Sequence, residues 1–347
     1  MRKTLKYALI AVSALLFTGC VLVDQDMSDC ETDYTLDYEL RLVTNMTTEL
    51  QTQLSMAADV NVSAALKQYM SGIFTDYAHD VNLSFYDVYG DSLRLHNEHH
   101  IMDANQSSYT LFIPVRKYMH IAIANIDDNH EVGLEKDELC HTSRLFQPIR
   151  DTVESHSTGV FTARLPMDIK EGEDQQFDVK LYMANCATAL VLDTLGSHIR
   201  DIDVYATGFA TGFSLADSTY RYEYTPVVKA NRLAVDGADS PLCFTTVTFP
   251  SKDVPASKVT IESPEDFVTD ASETSLWQYR VYCHLDDGTV TETILGVKLP
   301  LQAGQLKVVK AAIQNDGACV PMAPWVGCIV TLDWIDQPGW EVDFYQL

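Results

Sequence analysis

Hydrophobic and polar residues alternate along most of this chain with a period of two. Tyr34, Leu36, Tyr38, Leu40 and Leu42 fall on one side and Thr35, Asp37, Glu39 and Arg41 on the other, which predicts a half-buried strand. The same pattern predicts strands over 81–88, 109–113, 119–126, 161–165, 177–183, 189–192, 202–206, 245–249, 277–285, 289–297, 306–312 and 328–334. Asp286-Asp287-Gly288 stands between two of these as a hairpin turn. One stretch departs from the pattern: Leu66, Met70, Ile73 and Tyr77 recur at helical spacing, with Ser63 placed to cap them. Many short strands, turn residues between them and little helix predict an all-β protein of sandwich type with one or two short helices. A chain of 347 residues has room for two such domains. The polar run 127–138 reads as a loop. The acidic stretch from Asp168 to Gln176 has the composition of a linker, dividing an N-terminal domain, 31–170, from a C-terminal one, 171–347.

The first nineteen residues follow a different rule. Arg2, Lys3 and Lys6 precede an uncharged run from Tyr7 to Phe17, about a dozen apolar residues where a membrane-crossing helix needs about 20. That is the pattern of a signal peptide, residues 1–19. The run closes with Leu16-Phe17-Thr18-Gly19-Cys20, so a small residue directly precedes a cysteine, as a lipoprotein signal peptidase requires. Cleavage between Gly19 and Cys20 makes Cys20 the lipidated N-terminus, and several acyl chains, each contributing about 0.8 kcal/mol per buried methylene, hold where one does not. Residues 20–30 then form an acidic tether without periodicity.

Loss of the three basic residues of the signal peptide takes the formal charge from −25 to −28. So acidic a chain lacks the clustered Lys and Arg that phosphate contacts draw on, and nucleic acid is not an expected partner. Beyond Cys20 come Cys30, Cys140, Cys186, Cys243, Cys283, Cys319 and Cys328, an odd number that cannot all pair within one chain. Export permits disulfides, but spacing fixes no connectivity; Cys319 and Cys328 are the nearest pair.

Catalytic signatures are missing. The chain has no Gly-x-Ser-x-Gly elbow, phosphate-binding Gly-rich loop, dinucleotide fingerprint or His-Glu-x-x-His helix. His96-Asn97-Glu98-His99-His100 offers three imidazoles without an evident fourth ligand, and reads as a solvated loop. In Asp127-Asp128-Asn129 the following glycine is Gly133, out of place for a calcium loop. No enzyme activity, metal or cofactor is expected.

Several stretches together resemble the minor fimbrial anchor lipoproteins of the Bacteroidetes, within the fimbrillin superfamily. Cys20, a short acidic stretch and Asp29-Cys30 leading into the alternating Tyr34–Tyr38 are similar to the start of those anchors. So is the strand from Val81 to Tyr89, closed by Gly90, with a helix just upstream; so too is Tyr109-Thr110-Leu111-Phe112-Ile113-Pro114 leading to Tyr118 and 121–125. A Lys at 117 replaces the glycine common there in the family. The resemblance implies two tandem transthyretin-like β-sandwich domains. It also implies an outer-membrane, surface-exposed lipoprotein that holds the base of a fimbria, limits its length and joins the stalk subunit by strand exchange.

In strand exchange, backbone hydrogen bonds supply affinity and alternate side chains entering pockets set register. The tail after Pro338-Gly339 has the pattern for it, with Trp340, Val342 and Phe344 alternating against Glu341, Asp343 and Tyr345; the competing reading is an ordinary last strand of the second sandwich. Stalk subunits of the family are trimmed after an Arg, whereas Arg41 here lies within the first predicted strand. The alternative function is a surface adhesion or glycan-binding lipoprotein on the same scaffold, with Tyr220, Tyr222 and Tyr224 as a stacking platform. The lipid attachment gives a direct prediction. Cells expressing Cys20→Ala are expected to lose palmitate label from this protein; label and membrane retention that persist would refute lipidation at Cys20.

Overall fold

The computed structural model describes residues 33–41, 60–74, 80–88, 94–101, 108–127, 129–136, 139–140, 143–171, 175–194, 198–237, 240–253, 268–270, 275–322 and 330–331. The expectations for Cys20, Cys30, Tyr77, Cys328, Trp340, Val342 and Phe344 lie outside these residues. Among the described residues, no helix is long and apolar enough to cross a membrane.

Alternation predicts a long strand best where one face lies in a core and the other is partly exposed. Along Trp277–Leu285 every second residue is buried, Trp277, Tyr279, Val281, Cys283 and Leu285, while those between are partly exposed. The hairpin from this strand to Val290–Val297 turns at Asp286-Asp287-Gly288, where Gly288 takes a positive φ of 88° and Asp287 Oδ1 accepts the Thr289 N–H at 2.8 Å.

Two sandwiches repeat one topology. In the first, Asp33–Arg41 lies between Ser108–Pro114, antiparallel, and Gln175–Lys180, parallel. In the second, Cys186–Thr194 lies between Leu242–Thr248, antiparallel, and Gln305–Ile313, parallel. The facing sheets run Phe161–Asp168, Lys117–Ala124, Asp80–Asp87, Arg94–Ile101 in one and Val290–Val297, Trp277–Leu285, Ile199–Thr207, Val227–Lys229 in the other. Each sandwich therefore opens with the middle strand of a sheet and returns parallel to it with its last long strand. Phe161–Asp168 and Gln175–Lys180 both belong to the first sandwich, so the crossing to the second falls at 184–185, later than the acidic composition of 168–176 implies.

The predicted helix is present as α1, Val60–Phe74, which begins three residues before Ser63. Ser63 is thus an interior, buried residue rather than the cap. Val62, Leu66, Met70 and Ile73 form a buried stripe of α1 at a spacing of three and four. They pack within one continuous core that holds Val81, Leu83, Phe85, Ile113 and Phe161 of the first sandwich and Ala187, Ala189, Val191, Val247 and Val308 of the second. A second core fills the second sandwich, with Leu190, Leu192, Phe244, Val281 and Ile313. The helix is the wedge between the two halves.

Short strands were not legible from period alone. Gly133–Glu135 lies inside the stretch expected to be a loop, and joins Arg144–Phe146, Gly212–Ser214 and Thr219–Arg221 in a four-stranded sheet to which each half contributes two strands. The stretch containing His96, His99 and His100 is likewise strand, Arg94–Ile101, paired along Asp80–Asp87, and not loop. Leu66→Ala is expected to cost about 2–5 kcal/mol, because it opens a cavity where helix and both halves meet, whereas Gln68→Ala on the exposed side should stay within about 0.5 kcal/mol. Urea denaturation of the two variants checks this, and equal losses would show that the helix is not a wedge.

Candidate functional site

The best-built polar region is the seam where the halves meet. His156 is fully buried there. Its Nδ1 lies 2.9 Å from Asn185 Nδ2 and its Nε2 lies 2.9 Å from the Gln147 side-chain amide. Asn185 is oriented by its Oδ1, which accepts the Val160 N–H at 2.6 Å, so its NH₂ must donate to His156 Nδ1. The imidazole is then the Nε2–H tautomer and needs an acceptor from Gln147, whose Oε1 is otherwise buried without a partner. Amide oxygen and nitrogen are nearly alike in shape, and the hydrogen-bond logic turns Gln147 so that Oε1 faces Nε2–H.

Backbone bonds extend the seam in both directions. The His156 N–H donates to Val247 O at 2.9 Å and Val247 N–H to Ser155 Oγ at 2.8 Å, tying residues 155–156 to the second sandwich. Gly159 N–H donates to Ile73 O, the end of α1, and Gly159 O accepts from Asn125 Nδ2 at 3.1 Å. Burial strips His156 of hydration, which disfavours its charged form and pushes its pKa down to about 3. His120 is in the same state. It is fully buried, stacked on Phe85 with centroids 4.3 Å apart, and burial lowers its pKa to about 3 although its Nδ1 meets Ser84 O at 3.0 Å.

Tyr220, Tyr222 and Tyr224 do not form an open platform. Their hydroxyls donate to the backbone oxygens of Ala184 at 2.8 Å, Ser251 at 2.8 Å and Gln147 at 3.1 Å, and each ring is partly buried against the seam. They act as a clasp, which is the ordinary packing role for tyrosines along one face. Lys307 is a second buried polar group, in the inner face of the second sandwich. Its ammonium donates to Pro300 O, and desolvation lowers its pKa to about 8.

The first and last described strands are paired differently. Asp33–Arg41 is central in its sheet, with Arg41 as its last residue, opposite Lys180. The outer edge of Gln305–Ile313 carries two short pieces of the C-terminal chain. Cys319–Pro321 pairs with 311–313, and Val330–Thr331 pairs with 305–306. The residues of the predicted cluster lie along one strand, Arg94–Ile101, paired with Asp80–Asp87. Among the described residues, no group of three His, Cys, Asp or Glu side chains is arranged to hold a metal ion.

No family model matches the chain, and no curated protein sequence does. Solved structures do. A candidate adhesin from Bacteroides ovatus superposes with a TM-score of 0.50 at 13% identity, covering 78% of this chain and 85% of that one. A second candidate adhesin from Bacteroides ovatus gives a TM-score of 0.49 at 10% identity over 88% of this chain and 96% of that one. The fimbrial anchor protein Mfa2 from Porphyromonas gingivalis gives 0.47 at 12% identity over 86% and 99%. At such identities the first likeness is one of fold, and it extends over most of both chains.

The two buried histidines set a pH dependence. Their native pKa values of about 3 lie below the ordinary 6.5, so between those values the unfolded chain binds protons that the native one does not. Stability is therefore held above about pH 6.5 and lost as pH falls toward 3. At about 1.4 kcal/mol per unit, each histidine should withdraw roughly 2–3 kcal/mol between pH 7 and pH 4.5. His120→Gln keeps a donor for Ser84 O without a charge to gain, so its urea midpoint should fall less over that range than the parent's. An identical fall in both would show that His120 does not carry the effect.

Proposed function

We propose that this protein is an outer-membrane lipoprotein, anchored through Cys20, that holds the base of a fimbria at the cell surface and limits its length. It joins the fimbrial stalk subunit by β-strand exchange, with the tail around Trp340, Val342 and Phe344 as the exchanging segment. The export junction at Gly19-Cys20 supports the attachment, and the resemblance at the start of the mature chain supports the partner. The sandwich fold fits a load-bearing rather than a catalytic role.

One observation carries the docking half of this reading. Among the described residues, the edge of the last long strand of the second sandwich, Gln305–Ile313, is paired over 305–306 and 311–313, and the Met322 N–H donates to Lys310 O at 3.1 Å. Two- and three-residue ladders bring few backbone hydrogen bonds, so a longer strand from a partner has bonds to gain there. The opposite end has no such freedom. Asp33–Arg41 pairs on both sides, and cleavage after Arg41 would remove a central strand together with the lipid. An anchor of this construction must keep its first strand and offer its other end.

The alternative, an adhesion or glycan-binding surface lipoprotein, needs exposed aromatics, and the tyrosines read for that purpose have their hydroxyls committed to the seam. Deleting the residues after Gly339 tests the proposal. The truncated protein is expected to fold and to reach the membrane, while fimbriae are shed into the medium. Fimbriae retained by a folded, truncated protein would rule out the tail as the docking element.

A further inference from the structure

Two thiols from opposite sheets of the second sandwich meet in its core. Cys283 lies on the inward face of Trp277–Leu285, and Cys319 opens Cys319–Pro321, which pairs with Ile313 of the other sheet. Both are buried, and their side chains hydrogen-bond each other. The turn that delivers Cys319 is closely set. Gln314 N–H donates to Ala318 O at 2.8 Å and Gly317 N–H to Gln314 O at 3.0 Å. Gly317 adopts a φ of 82°, and a Cβ on it would stand 3.2 Å from Cys283 Cβ, so glycine is required for the turn to pass this close to the opposite strand. Thr291 Oγ1 donates to Asp316 O at 2.6 Å, and Thr293 Oγ1 accepts the Cys319 N–H at 3.0 Å. Two hydrogen bonds and the thiol contact from one sheet thus fix the hairpin of the other.

The remaining described cysteines have no such counterpart. Cys186 and Cys243 sit in different cores, on opposite faces of their shared sheet, and Cys140 is in the third core beneath the four-stranded seam sheet.

We propose that Cys283 and Cys319 form a disulfide that locks the two sheets of the second sandwich together where the C-terminal chain leaves it. The two thiols exchange with the disulfide of an oxidised thiol-exchange protein. One S–S bond forms and one breaks, and the two protons and two electrons pass to the exchange protein, which leaves as a dithiol. Since the closed core shields both sulfurs, exchange takes place while the three-residue ladder of Cys319–Pro321 is still open. Once made, the bond transfers any pull on the chain beyond Pro321 to Trp277–Leu285, a strand paired along both edges. A three-residue ladder alone would open like a zipper.

The test uses the full chain exported from its cell. Free thiols are alkylated under denaturing conditions without reductant, and the digest is read by mass spectrometry. A Cys283–Cys319 linked peptide that disappears on reduction is expected. Both cysteines alkylated, or Cys319 joined to Cys328, would overturn the proposal. A second measurement compares urea midpoints with and without dithiothreitol. Reductant should lower the midpoint of the parent and leave that of Cys283→Ala/Cys319→Ala unmoved, and an equal response of the two would again overturn it. Neither reading depends on lipidation at Cys20 or on the exchanging tail.

Discussion

The structure depends on a sheet that is dry on both faces. Cys186–Thr194, flanked by Leu242–Thr248 and Gln305–Ile313, turns Leu190, Leu192, Phe244 and Ile313 into the core of its own sandwich. Its other face, with Ala187, Ala189, Val191, Val247 and Val308, meets α1 and the first sandwich. The inner side, with Leu190, Leu192, Phe244 and Ile313, faces the second sheet of the sandwich, and sheets pack about 10 Å apart. A parallel pair at the centre of this sheet suits full burial, since parallel ladders are rarely left facing water.

From that sheet follows the way the halves are joined. Two independent sandwiches on a linker would each expose a wet outer face; here the outer faces are shared. The four-stranded seam sheet covers Tyr86, Ile121 and Ile123 on the far side of the first sandwich, building a third core from residues of both halves. Polar groups trapped in the seam are held by mutual hydrogen bonds. His156, Asn185 and Gln147 form a closed set, and the hydroxyls of Tyr220, Tyr222 and Tyr224 donate to backbone oxygens of the seam. Such a junction resists bending because movement would break several buried hydrogen bonds at once. That rigidity fits the role proposed above, of a body held between a membrane and a filament.

The long strands declared themselves in the sequence. Trp277–Leu285 was legible to the residue, and Asp80–Asp87 to within one at each end. The helix was legible from Leu66, Met70 and Ile73, but its start was not, since Ser63 has the chemistry of a cap and a neighbouring turn that is already helical. Two- and three-residue strands such as Val153–Glu154 and Gly212–Ser214 have no period to read; they exist because a partner distant in sequence presents an edge. His96–His100 misled for a related reason, because a polar edge strand satisfies its backbone by pairing and leaves no apolar alternation behind. The seam was the least legible feature. A lone His156 and three spaced tyrosines have no meaning as a set until the fold brings residues 147, 156, 185 and 220–224 together.

Repetition of one topology in both halves sharpens the question of how the ends are used. In each sandwich the last long strand lies parallel to the first, Gln175–Lys180 as an edge strand in one case and Gln305–Ile313, flanked outside only by two short strands among the described residues, in the other. After the first of these the chain turns at Leu181 and adds Tyr182–Met183 to the facing sheet, then enters the second sandwich, so that exit is consumed by the protein's own continuation. After the second it turns at 314–318 and comes back along the edge it has just left, first as Cys319–Pro321 and later as Val330–Thr331. Equivalent positions therefore serve one internal connection and one loosely paired edge. In the proposed reading, where a filament subunit is joined by the same kind of backbone bonds, that second edge is the one not taken up by an internal connection.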